Sequence, residues 1–141
     1  MASFFWDTML FVYLIEDHRQ FGVKVKDLLK LCEDHGHAIT TSTFTLAELL
    51  VAPCKTGNTE LTRNFREALQ SPAVRLLPFG SGTAEHYAQI RSSLRVSPAD
   101  AIQLACAAEA GVNVFVTNDH ELVGKKITGI DFIVGLDGKI M

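Results

Sequence analysis

The chain has 141 residues, 48% hydrophobic and 21% charged, which suits one domain spanning residues 1–141 and is too apolar for a disordered chain. Its 16 acidic and 13 basic residues give a net charge of −3, without the basic excess of a protein that holds nucleic acid by bulk charge. Setting aside four acids that a divalent ion would neutralise removes the acidic excess, so charge leaves that class of partner open.

Ser3 to Trp6 reads as a short strand ending at Asp7, and Thr8 to Ile15, apolar without alternation, as a buried helix. Met1 to Ile15 has no Lys or Arg ahead of its apolar run and is interrupted by Asp7, so neither a signal peptide nor a membrane span is expected. The expected compartment is the cytoplasm. From Gln20 to His35, Phe21, Val25, Leu28, Leu29 and Cys32 form the apolar stripe of an amphipathic helix that Gly36 ends. Ala38 to Thr43 is β-branched and leads into a short helix, Thr45 to Val51, closed by Pro53 and followed by a loop to Asn58. Leu61, Phe65, Ala68 and Leu69 mark another amphipathic helix, with Arg63 and Arg66 outward. Val74 to Phe79 is a strand candidate and Thr83 to Leu94 a helix.

Ser97 to Asp119 is the most informative stretch. Ser97 caps a helix with Pro98 at its first position and a nearly all small or apolar body from Ala101 to Ala110, stopped by Gly111. Asn113 to Thr117 then reads as a buried parallel strand that delivers Asn118 and Asp119 at its carboxyl end. A short helix from His120 and a last strand at Ile130 to Val134 complete the chain. Strands alternating with helices predict an α/β fold: a central, mostly parallel sheet of four or five strands with helices on both faces, and sites at the carboxyl ends of strands. Cys32, Cys54 and Cys106 are far apart, without a C-x-x-C pair, and are expected as reduced thiols.

Asp7, Glu48 and Asp119 follow predicted strands, and Asp100 begins the helix before the fourth. Each has an ordinary explanation. Asp7 and Asp119 can cap helices, and Thr45-x-x-Glu48 and Ser97-x-x-Asp100 resemble capping boxes. Jointly, a parallel sheet would bring them to one rim, where poorly solvated carboxylates repel one another. A divalent cation removes that repulsion. Mg²⁺ prefers hard oxygen ligands and keeps several waters, so a few carboxylates plus a substrate phosphate suit it, and its chemistry is phosphoester hydrolysis.

DTMLFVYLIE, TLAELL, SPADAIQLACAA and VFVTNDHEL, in that order, resemble the four acidic motifs of PIN-domain ribonucleases, particularly VapC-type toxins of toxin–antitoxin pairs. The resemblance spans residues 3 to 134. It implies Asp7, Glu48, Asp100 and Asp119 as a catalytic cluster binding Mg²⁺ or Mn²⁺, supported by Thr117 and Asn118. It implies an RNA substrate cut by water to leave 5′-phosphate and 3′-hydroxyl ends, a cognate antitoxin partner and a homodimer. Met9 departs from the family, which usually has Asn or Ser two residues after the first acid. Lys55, Arg63 and Arg66 are candidate contacts to the phosphate backbone, and a solvated helix face explains them equally well.

Gly80-Ser81-Gly82 opens a helix after a strand, but Glu85 stands at the third glycine position of a dinucleotide fingerprint. Asp7-Thr8-Met9 lacks the second acid of an aspartyl phosphatase. His35 and His37 are read as a solvated helix end. Two rival functions stand beside the nuclease: a non-catalytic PIN-fold module that binds protein or RNA, with Met9 marking a degraded site, and a small-molecule phosphatase.

Overall fold

Five strands pair in parallel throughout, in the order β3-β2-β1-β4-β5. They are β1 (Ser3–Trp6), β2 (Ala38–Ser42), β3 (Val74–Leu77), β4 (Val114–Thr117) and β5 (Phe132–Gly135), and the computed structural model describes residues 1–138. Six helices connect them: α1 (Thr8–Ile15), α2 (Gly22–His35), α3 (Thr43–Thr56), α4 (Thr59–Leu69), α5 (Ser81–Ser93) and α6 (Pro98–Ala110). Among the described residues no helix is long and apolar enough to cross a membrane.

The strand side chains alternate between two cores, as a sheet covered on both faces requires. Phe4, Trp6, Val114 and Val116 face the α1–α4 side, where Leu10, Phe11, Val25, Leu28, Leu49, Phe65 and Leu69 close over them. Phe5 and Phe115 face the other side and stack with ring centroids 4.9 Å apart, beneath α5 and the small residues of α6. That side explains why α6 is apolar all round: Ala101, Leu104, Ala105, Ala107 and Ala108 are all buried. Cys32 and Cys106 are buried free thiols, each pushed up to about 11, mainly by burial, and Cys54 is free and exposed.

Several sequence expectations are corrected. The helix carrying Glu48 does not stop before Pro53 but runs to Thr56 with Pro53 inside it. Proline removes one donor, and the final turn is secured past it: the N–H groups of Gly57 and Asn58 both donate to Pro53 O, and Gly57 adopts the left-handed conformation at φ 66°. Asn58 at once caps α4, accepting from Leu61 N at 3.0 Å, so the expected loop is a two-residue joint. The segment from His120 forms turns rather than a helix, because Gly124 at φ 82° breaks it before nucleation can be offset. The last strand starts at Phe132, since Ile130 is engaged in a bridge to Ile127. Pro78 also ends β3 at Leu77, two residues before the expected Phe79.

Candidate active site

From β1 the chain steps outward to β2 and β3, then crosses back through α5 and α6 to β4 and β5, so the connections reverse direction at the β1–β4 pair. In a parallel sheet such a reversal leaves a crevice at the carboxyl ends of the two strands. A cleft of about 310 Å³ lies there, lined by Asp7, Thr8, Met9, Tyr13, Glu48, Ala99, Asp100, Gln103, Thr117, Asn118 and Asp119. All four sequence-predicted carboxylates line it, with Thr117 and Asn118, and among the described residues no Lys, Arg or His does.

Each acid is set by a different element. Asp7 leaves β1 and caps α1: its Oδ1 accepts from Thr8 N at 2.9 Å and its Oδ2 from the Thr117 hydroxyl at 2.7 Å. Burial pushes its carboxyl above the ordinary 3.8, those two hydrogen bonds pull it down, and Asp100 and Glu48 push it up again. Asp100 sits in the first turn of α6, whose cap Ser97 accepts from Asp100 N at 3.1 Å. Its carboxyl is also raised, first by burial, then by Asp119 and Glu121, against a hydrogen bond with Ser97. Asp119 follows β4, with its N–H donating to Thr117 Oγ1 at 3.0 Å and its Oδ1 accepting from Glu121 N at 3.0 Å. Glu48 is on α3, and its Oε1 accepts from the Thr8 hydroxyl at 2.6 Å. The capping-box reading of Thr45 and Glu48 is corrected: Ser42 caps α3 through Thr45 N.

Among the described residues, no three Asp, Glu, His or Cys side chains stand together as a finished ligand set. Glu48 is turned to Thr8 and Asp119 to its own following turn. The donor chemistry nonetheless fits Mg²⁺ or Mn²⁺. Every acidic group is a hard oxygen donor, and Mg²⁺ needs only one or two carboxylates beside retained waters. A second observation agrees. Asn118 Oδ1 is buried in the cleft wall without a partner among the described residues, while Asn118 Nδ2 donates to Tyr13 Oη at 3.0 Å. A buried acceptor left open beside carboxylates suits a site that receives a cation or its water shell.

Lys55, Arg63 and Arg66 do not line the cleft. Lys55 borders an open hollow on α3 with Ala47, Leu50, Val51 and Cys54, and the two arginines lie on the outer face of α4. The residues that sequence reasoning missed are Thr8, Tyr13 and Gln103. Gln103 carried a usable signal, as the one amide or charged side chain between Ala101 and Ala108 in a helix body built to be buried.

These features define an α/β domain with an acidic cleft at a topological switch point. The PIN domain family profile matches residues 4–126, and the chain belongs to that family. No curated protein matches it by sequence. Its fold is similar to VapBC2 from Rickettsia felis bound to a promoter DNA fragment, at TM-score 0.75 and 20% identity over 94% of this chain and 98% of that one. It is similar to a toxin–antitoxin complex from Klebsiella pneumoniae, at TM-score 0.66 and 22% identity over 89% and 93%. It is also similar to Mycobacterium tuberculosis VapC20, a toxin that cleaves the sarcin–ricin loop, at TM-score 0.65 and 16% identity over 79% and 86%.

Proposed function

We propose that the protein is a Mg²⁺- or Mn²⁺-dependent endoribonuclease, a VapC-type toxin that acts in the cytoplasm and is held by a cognate antitoxin. One observation carries this: four carboxylates from four separate segments line one cleft that, among the described residues, no basic side chain lines. An RNA phosphate would be repelled there unless cations neutralised the acids. A bound divalent ion would supply charge neutralisation and water activation.

The chain's own residues do the rest. Thr117 and the Thr8 N–H hold both oxygens of Asp7 at the centre of the rim, and Ser97 fixes the helix turn that presents Asp100. The cleft opens to solvent, so the backbone of a single-stranded or looped RNA can be laid across it. Attack by water rather than by the ribose 2′-hydroxyl leaves 5′-phosphate and 3′-hydroxyl ends. For the antitoxin we favour the outer face of α3, where Val51 is 51% exposed beside Ala47, Leu50 and Cys54, and the same apolar surface is available to a second copy of this chain. The likeness to a toxin–antitoxin complex supports a partner of that kind.

The test is cleavage of an end-labelled RNA pool by wild type and by Asp100→Asn, with Mg²⁺, Mn²⁺ or EDTA. Metal-dependent cutting that the variant loses supports the reading. Cyclic 2′,3′-phosphate ends, or equal cutting by both proteins, overturn it.

A further inference from the structure

Gln103 is 2% exposed and reaches from α6 across the ends of β2, α3 and α1. Its Nε2 lies 2.6 Å from Thr45 Oγ1 and 3.1 Å from Thr8 Oγ1, and its Oε1 meets Ser42 Oγ. The protons around Thr8 and Gln103 follow from these contacts. Thr8 spends its single hydroxyl proton on Glu48 Oε1 and must itself accept from Gln103. That places the amide nitrogen, not the oxygen, toward Thr8. Thr45 accepts from the same nitrogen and from the Thr41 hydroxyl at 2.8 Å, and that hydroxyl also lies 2.8 Å from the carbonyl of Trp6. Ser42 donates to Gln103 Oε1 while accepting from Thr45 N. Among the coded side chains, only a carboxamide donates twice from one atom and accepts at the other end.

We infer that Gln103 is a positioning residue for Glu48: by filling the acceptor side of Thr8 it commits the Thr8 hydroxyl to Glu48 Oε1, leaving Oε2 to serve the cleft. The inference rests on reading the cleft as a cation site. Outer-layer hydrogen bonds of this type change metal affinity by roughly 10- to 100-fold when removed.

The test is Mn²⁺ binding by calorimetry, with no RNA present, to wild type, Gln103→Met, Glu48→Gln and the double variant. The unfolding midpoint of each confirms that it is folded. Gln103→Met is expected to weaken Mn²⁺ binding by roughly 10-fold in the wild-type background and to have no further effect once Glu48 is replaced. Thr8→Val, which cuts the same chain one bond later, is expected to match it. Equal losses in both backgrounds, or unaltered Mn²⁺ affinity in Gln103→Met, overturn the positioning role while leaving the cleft's reading intact. A wild-type protein that binds no Mn²⁺ overturns both.

Discussion

Thr117 at the end of β4 donates to Asp7 just past the end of β1, 2.7 Å away, and this bond ties the two central strands together where the acids gather. It only partly offsets the burial of Asp7, whose carboxyl stays above its ordinary 3.8. Between 3.8 and that raised value the folded chain keeps a proton that the unfolded chain has released. Stability from this group is therefore fully present below the unfolded value and is lost as pH climbs through the folded one. Asp100 acts in the same sense. The exposed pairs Lys26–Asp17 and Lys24–Asp137 act oppositely but weakly. Asp7→Asn keeps a helix-capping oxygen and removes the charge. It is expected to raise the melting temperature of the metal-free protein at neutral pH by a few degrees and to flatten its decline as pH climbs above 3.8 through the raised value of Asp7. A lower midpoint at neutral pH would show that Asp7 serves the fold more than the cleft.

A ligand that binds only the folded state stabilises it by mass action, by about 2.7 kcal/mol at a hundredfold excess over Kd. Mn²⁺ or Mg²⁺ is thus expected to raise the melting temperature of the wild type, and EDTA to reverse the rise. Protons compete for the same raised carboxylates, so the rise should shrink toward acid pH. In Asp100→Asn it should be largely lost. An equal rise in that variant would place the ion elsewhere, for instance on the surface acids.

The reading from sequence succeeded where one local signal met one structural demand. The spacing of Val25, Leu28 and Cys32 and the stop at Gly36 reappear as the buried stripe and left-handed cap of α2. Ser97, Pro98 and Gly111 bracket α6 as expected. The acids were legible because parallel topology carries strand ends to one rim. What failed depended on how local turns close and on partners distant in sequence. Pro53 reads as a breaker until Gly57 and Asn58 are seen to close the turn after it. The side-chain bonds joining Gln103 to Ser42 and to Thr8 link positions 61 and 95 residues apart, beyond the reach of any periodicity.

Gly82 stands in a Gly-Ser-Gly stretch for a reason unrelated to nucleotide binding. A Cβ there would lie 2.2 Å from Glu109 Oε2, and Glu109 Oε1 accepts from the buried Thr83 hydroxyl at 2.5 Å. The carboxylate thus sits over the first turn of α5. Gly82→Ala would displace the end of that side chain and cost its hydrogen bond, about 1 kcal/mol, against a helix gain of roughly 0.5–1 kcal/mol. The expected result in denaturant titrations is a change near zero. In a Glu109→Ala background the obstacle is gone, and Gly82→Ala is expected to stabilise by roughly 0.5–1 kcal/mol. Destabilisation in both backgrounds would mean that the backbone, not Glu109, excludes a side chain.

Arg63 and Arg66 project from α4 opposite Phe65 and Leu69, which are buried, and Arg63 has one weak partner, Glu67, at 3.9 Å. Lys55 borders a separate hollow on α3, and none of the three lines the acidic cleft. Replacing all three by Ala is expected to leave folding stability within roughly 0.5 kcal/mol, since none is buried. The RNA KM should rise while kcat stays, because the cleft is untouched. If each cation meets one phosphate, the slope of log affinity against log salt should fall by about 0.7 per residue removed, or about 2 for all three. A change confined to kcat would place these residues closer to the chemistry than the structure does, and an unaltered salt slope would make this face a solvated one with no part in binding.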